Sequence, residues 1–258
     1  TDWSFDPFVF LEKDGFFYGR GTTDMKCEVA DIVANLIRLR REGFVPRRDI
    51  LIALTEHEES GDANGMKWLL ANRRDLVDVE YAINLEGGGG NSKAGKPILM
   101  EVQTSEKTYV DVQLEIRNKG GHSSQPVRDN AMVRMGAALS RIGAYDFPVR
   151  LNETTRIYFQ QHAKAVPGAL SADMARLADH PEDAAAAARL SAANPYYNAL
   201  LRTTCVPTMI QGGHAENALP QHVRVNVNCR LLPDDTADNV VATLRRVIAD
   251  DQITIALE

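Results

Sequence analysis

The chain has no apolar stretch approaching the ~20 residues needed to span a bilayer, so no membrane partner is expected. It is also short of basic residues: 29 Lys and Arg against 35 Asp and Glu leave a formal charge of −6. A nucleic-acid binder must instead cluster Lys and Arg against phosphates, so that class is set aside. The run Arg38, Arg40, Arg41 reads as the wet face of a helix. Cysteine is scarce. Cys27, Cys205 and Cys229 are odd in number and widely spaced, which gives neither a zinc-finger spacing nor a disulfide framework. All three are expected as structural thiols. An initiator methionine and a signal sequence are missing as well, and both ends read as cuts through a longer protein. The compartment, whether cytoplasmic, periplasmic or secreted, stays open.

What is present has the balance of an ordinary globular protein, 44% hydrophobic and 25% charged over 258 residues. That length suits one large domain or two smaller ones. In the first part, Phe16 to Tyr18 reads as a short strand, followed by a loop through Asp24 and a helix from about Met25 to Glu42. The unbroken apolar run DILIALT, Asp49 to Thr55, suits a strand buried on both faces of a parallel sheet. A helix from Gly65 to Asn72 and a second buried strand from Tyr81 to Leu85 complete an α/β pattern with a mostly parallel sheet and flanking helices. Near Lys107 the character changes. Tyr109 to Arg117 alternates strictly, as a strand with one wet face does. A helix from about Asn130 to Ile142, an Ala-rich helical stretch from Asn152 to Tyr197, strands at Thr208 to Gln211 and Val223 to Leu231, a helix from about Ala237 to Ala249 and a last strand at Ile253 to Leu257 follow. This is the split βαβ order of an α+β, ferredoxin-like layer with a helical insert. The expected domains are therefore residues 1–106 and 107–258.

Three acidic groups sit where the α/β part should present strand ends: Asp24 after a Gly-bracketed loop, Glu56, Glu58 and Glu59 after DILIALT, and Glu86 after AINL. Open α/β sheets bind ligands at such ends. Carboxylates gathered there repel one another unless a cation lies between them, and a divalent metal is the economical resolution. Each also has a plainer use. Asp24 suits a helix N-cap, Glu58 and Glu59 suit solvated loop charges, and Glu86 suits a turn before four glycines. Those glycines lack both the Lys-Ser/Thr of a P-loop and the dinucleotide fingerprint spacing, so a nucleotide site is discounted.

Taken together the motifs resemble those of the aminoacylase, carboxypeptidase and desuccinylase family of two-zinc metallopeptidases. GRGTTDMKCEVA (Gly19 to Ala30) is similar to its first signature, with Cys27 where Gly is common. LTEHEESG (Leu54 to Gly61) and INLEGGG (Ile83 to Gly89) are similar to the second and third. GGHSSQP (Gly120 to Pro126), NALP (Asn217 to Pro220) and CRLLP (Cys229 to Pro233) are similar to motifs of its lid domain, so the resemblance covers nearly the whole chain in order. It implies a zinc-dependent amidohydrolase cleaving an amide bond near a free carboxylate, in a small peptide or an N-acyl amino acid. Residues 1–106 would be a partial catalytic domain and 107–258 the lid through which a homodimer forms.

The resemblance implies roles residue by residue. Asp24 would bridge two Zn2+ ions, with Co2+ or Mn2+ able to substitute, Glu59 would bind one and Glu86 the other. Glu58 would be the general base. His122 would donate to the scissile carbonyl oxygen, often across the dimer. Asn217 and Arg230 would bind substrate, Arg230 by a forked pair with its carboxylate. The bland alternatives are a glycine-flanked turn histidine for His122 and a plain surface charge for Arg230. The family's two zinc histidines lie upstream of the GRG loop and after the lid, outside this stretch, so each zinc would fall short of the usual three protein ligands. A non-catalytic homologue using the lid for binding or assembly is the competing reading, and the lid motifs disfavour a phosphoesterase.

Overall fold

A computed structural model describes residues 2–59, 63–86, 89–165 and 168–258. The chain divides into two compact units, Thr1–Gly89 and Gly90–Glu258. The change of character in the sequence pointed to 106/107, so the later unit also takes in the segment that precedes the alternating strand.

In the first unit, β1 (Leu11–Lys13) and β2 (Phe16–Tyr18) form an antiparallel hairpin, with Leu11 opposite Tyr18. Asp14 and Gly15 turn it with positive φ at both positions, the backbone that two-residue hairpins require. Helix α1 (Cys27–Arg41) and helix α2 (Gly65–Asn72) fall where apolar periodicity placed them. Asn64 caps α2 by accepting from the Lys67 backbone N–H.

The two buried parallel strands do not form. Residues 49–55 and 81–85 carry no strand pairing, and Ile50, Leu54 and Ile83 are 55%, 60% and 87% exposed. A strand apolar on both sides is stable only when neighbouring strands take its N–H and C=O groups and helices cover its faces. Among the described residues neither run has such neighbours, and no residue of this unit is buried.

The second unit begins with the hairpin β3 (Gly89–Lys93) and β4 (Lys96–Glu101). Then come β5 (Thr108–Arg117), β6 (Gly121–His122) and α3 (Ala131–Gly143), whose N-cap Asn130 accepts from Met132 and Val133. The helices α4 (Glu153–Ala165), α5 (Ser171–Asp179), α6 (Ala184–Ala193) and α7 (Pro195–Leu201) form the insert. The chain finishes with β7 (Thr204–Gly212), β8 (Ala218–Leu219), β9 (His222–Leu231), α8 (Ala237–Ile248) and β10 (Ile253–Leu257). The main sheet has the order β10-β5-β9-β7, antiparallel throughout. With α3 and α8 on one face this is the expected ferredoxin-like layer. Among the described residues no helix is long and apolar enough to cross a membrane.

Alternation fixes the core. Val112, Leu114 and Ile116 of β5 and Val223, Val225 and Val227 of β9 are at most 1% exposed and pack with Met135, Ala138, Leu244 and Ile248 of the two helices. Each such side chain contributes roughly 1.5–3 kcal/mol by leaving water. The insert has a separate core around Phe159, Leu177, Leu190 and Leu201. Asp173, almost buried there, is held by Arg189 through two bonds of 2.9 and 2.6 Å, a forked pair that satisfies both oxygens.

Two cysteine expectations need correction. Cys205 and Cys229 are joined by a disulfide, not left as thiols. They stand directly opposite each other on β7 and β9, with Cα atoms 4.1 Å apart. Sequence spacing cannot report such a pairing; strand register does. Cys27 is exposed rather than packed. Its thiol donates to Glu28 at 2.8 Å, and that bond pushes its pKa up.

The disulfide closes a sequence separation of 24 residues. Cys205→Ala is expected to lower the unfolding free energy by about 2–4 kcal/mol. The check is a urea titration with and without reductant. Reductant should bring the wild type to the variant's level and leave the variant unchanged, whereas a wild-type midpoint indifferent to reductant would contradict the cross-link.

Candidate substrate-binding site

Two of the three motifs, GGHSSQP and NALP, come together at one end of the main sheet. β6 pairs with β8, setting His122 opposite Ala218, and Ser123 donates its N–H to the Asn217 carbonyl at 2.8 Å. His122 and Asn217 thus meet, with Nε2 and the Asn217 amide 3.3 Å apart. His122 Nδ1 accepts from the Ser124 backbone N–H at 3.2 Å and lies 2.8 Å from Ser124 Oγ, and the ring tautomer sets which nitrogen donates. The Asn217 atom facing Nε2 is the amide nitrogen Nδ2. Both side chains are exposed, so the His122 ring edge is open to a ligand. The glycine-flanked turn is therefore also the device that orients the ring.

Gly120 makes the close pairing possible. Its φ is +71°, and a Cβ there would lie 2.9 Å from the Leu219 carbonyl and 2.6 Å from Gln221. A side chain would be strained by the backbone and would clash with a fixed carbonyl.

Arg230 lies at the other end of β9. Val223, Val225, Val227 and Cys229 are buried while Arg224 and Arg230 are exposed, so the polar side chains share the opposite face as expected. Its guanidinium stacks over the Tyr109 ring at 4.7 Å. The Tyr109 hydroxyl donates to Asp111, and that carboxylate also accepts from Asn226 and Asn228 at 2.9 Å each. Hydrogen bonds, first from Asn228 and then from Tyr109, hold the Asp111 carboxyl below its ordinary range. The ring under Arg230 is thereby fixed at both ends. This polar network escaped the sequence reading, although strict alternation of Tyr109, Asp111 and Gln113 against Asn226 and Asn228 could have suggested it.

The structure brings His122 to Asn217 but does not bring either to Arg230. Arg117 pairs with His222 at the near end of β9 and Tyr109 with Arg230 at the far end. Eight strand steps at ~3.4 Å put about 27 Å between those ends. A two-residue substrate spans at most ~7 Å.

The acidic residues are not gathered. Among the described residues no three His, Cys, Asp or Glu side chains form a group able to hold a metal. Asp24 lies in a non-helical turn, joined to Met25 by a cis peptide bond. It does not cap α1, whose N-cap is Lys26. Glu58 and Glu59 lie in a turn after an unpaired segment, and the Glu58 carbonyl accepts from Asn64 at 3.4 Å. Glu86 is exposed in a bend. Among the described residues no sheet holds the segments before Glu59 and Glu86.

Comparison with known proteins accounts for the motifs. The model of the M20 peptidase dimerisation domain matches residues 104–254. The chain belongs to this peptidase family, whose members are metal-dependent hydrolases. It is 29% identical to the mouse N-fatty-acyl-amino acid synthase/hydrolase PM20D1 over 98% of this chain and 50% of that protein. It is 27% identical to the Dictyostelium discoideum protein described as probable carboxypeptidase S-like 2, over 98% of this chain and 49% of that one. A solved tripeptidase of Staphylococcus aureus shares the fold at TM-score 0.54 and 16% identity, over 97% of this chain and 53% of that one. The chain thus spans about half the length of the curated relatives it matches.

Gly120→Ala in the full-length protein is expected to separate β6 from β8, at a cost of roughly 1 kcal/mol or more. The readout is the His122 imidazole signal in NMR, which should shift as Ser124 and Asn217 lose contact. An unshifted imidazole would show that the glycine does not hold this arrangement.

Proposed function

We propose that the full-length protein is a metal-dependent amidohydrolase that cleaves an amide bond beside a free carboxylate. Its substrate is a small peptide or an N-acyl amino acid, in the manner of a carboxypeptidase, a dipeptidase or an N-acyl amino acid hydrolase. The separation of the His122–Asn217 pair from Arg230 carries the reading. Both motifs suit one substrate, yet one copy holds them farther apart than the scissile carbonyl and the carboxylate of such a substrate. A homodimer resolves this: His122 and Asn217 of one copy serve the site to which the second copy contributes Arg230. Residues 1–106 act as part of the catalytic domain and 107–258 as the lid.

The dimer reading is supported by an exposed apolar edge. β7 is an outer strand of the sheet, with Val206, Met209 and Ile210 56–63% exposed, and Met132 and Val133 of α3 are also exposed. Pro207 and the register shift beside it blunt the first half of the strand, and residues beyond Met209 keep a regular edge. Isologous pairing is the commonest way to bury such a surface.

In the reaction, Arg230 holds the substrate carboxylate with two parallel hydrogen bonds. Glu58 takes a proton from the attacking water and passes it to the leaving nitrogen as the carbon–nitrogen bond breaks. His122 donates its Nε2–H to the carbonyl oxygen as negative charge develops there, and Asn217 keeps the ring in position. Asp24, Glu59 and Glu86 are assigned to the metal of the full-length protein, two zinc ions on the family pattern.

Arg230→Lys tests the carboxylate grip. An ammonium cannot reproduce a fork. Charge-assisted bonds are worth about 1.5–3 kcal/mol, so kcat/KM should fall roughly tenfold to a hundredfold on a free-acid substrate. The loss should shrink on the corresponding carboxamide. Equal losses on acid and amide would show that Arg230 is structural.

A further inference from the structure

We propose that Lys107 is a positioning residue for Arg230: it ties the end of the helical insert to the strand ends around the carboxylate grip, and its charge strengthens the binding of an anionic substrate terminus. This rests on the reading of Arg230 as that grip. Lys107 directly precedes β5 and lies two residues from Tyr109, on the same face of the strand. Its ammonium donates to the Ala199 carbonyl at 3.0 Å, the Arg202 carbonyl at 2.7 Å and Thr204 Oγ1 at 3.2 Å. All three of its protons are used. The two carbonyls belong to the last turn of α7 and the residue capping it, where helix carbonyls lack internal partners and the dipole favours a cation.

The same residues surround Arg230. Thr204 stands opposite Arg230 on one side, and Tyr109 stands opposite it on the other with its ring beneath the guanidinium. Lys107 therefore fixes the junction of α7 and β7 against both strand neighbours of Arg230. A lysine serving only as a helix cap would not need this address.

Burial, with a lesser push from Arg230, lowers the Lys107 pKa to about 8. Arg230 is the charged group that faces it. The Tyr109 hydroxyl is engaged by Asp111, and the Arg202 guanidinium pairs with Asp146 at 3.0 Å. The ammonium is present below that pKa and is lost as pH rises through it. The neutral amine has two protons for three acceptors, and the positive charge beside Arg230 disappears. A carboxylate bound to Arg230 favours the charged form, so by linkage its affinity is greater while Lys107 keeps its proton.

The test uses the full-length enzyme with a free-acid substrate and its carboxamide, between about pH 6.5 and 9.5, a range spanning the lowered and ordinary lysine values. In the wild type, KM for the acid should rise roughly twofold to fivefold across pH 8, a surface-scale charge effect. KM for the amide should stay level. Lys107→Arg, permanently charged, should keep a low and flat KM for the acid. Lys107→Met should hold that KM at the wild type's high-pH level throughout, with kcat within about twofold, the pattern of lost binding rather than lost chemistry. An acid KM in Lys107→Arg that rises with pH as in the wild type, or a Lys107→Met effect equal on acid and amide, overturns the proposal. If Lys107→Met does not fold, the Lys107→Arg profile decides alone. Arg230→Lys separates the two levels: a selective loss on the acid, with Lys107 variants indistinguishable from wild type, removes only the role of Lys107. Equal losses in Arg230→Lys remove the carboxylate grip, and the role of Lys107 with it.

Discussion

The register of β9 between β5 and β7 is the constraint on which the rest of this unit depends. Ten residues from Thr108 to Arg117 run antiparallel to Leu231 through His222 without a break. A slip by one residue would turn Val223, Val225, Val227 and Cys229 to water and drive Arg224 and Arg230 into the core. Three fully buried aliphatic side chains on β5 and three on β9 make that slip cost several kcal/mol at least. The disulfide sits on this register and depends on it, since only this alignment sets Cys205 against Cys229. Arg230 is exposed because its neighbour is buried.

The same strand also separates the two parts of the candidate site. Its first residue adjoins the β6–β8 pair that orients His122, and its far end carries Arg230 over Tyr109. A rigid, twisted sheet cannot fold these ends together, so the distance is a property of the fold and not of a loop. A second copy is the natural supplier of the missing half, and the exposed outer strand β7 offers a surface for it. The helical insert stands apart with its own core, yet Lys107 links its last helix to the strand that pairs with Arg230. The insert is thereby tied to both strand neighbours of Arg230.

Local pattern was legible wherever a segment could satisfy it with its immediate neighbours. The alternation of Tyr109 to Arg117 and of Val223 to Leu231 survives as β5 and β9, and the helices after Asn64, Asn130 and Thr236 begin at residues that cap them. Features requiring knowledge of which strands pair were not legible. The Cys205–Cys229 bond is one, and the Asp111 network with Asn226 and Asn228 is another. DILIALT and AINL failed for a different reason. Their apolar character is real, but a buried strand is a property of a whole sheet, and among the described residues neither segment finds pairing partners. The carboxylates Glu59 and Glu86 inherit that lack, whereas His122 and Asn217 sit on a small ribbon that closes locally.

The central claim is that one site draws His122 from one copy and Arg230 from another. It is tested most directly by mixing two inactive full-length variants, His122→Ala and Arg230→Ala, under conditions that exchange subunits. Each mixed dimer then has one site with both residues intact and one with neither. Half the dimers are mixed at equal proportions, so activity should return to about a quarter of the wild-type level, as two-fold symmetry requires. A mixture as inactive as its components, with subunit exchange verified by differently tagged copies, would contradict the account.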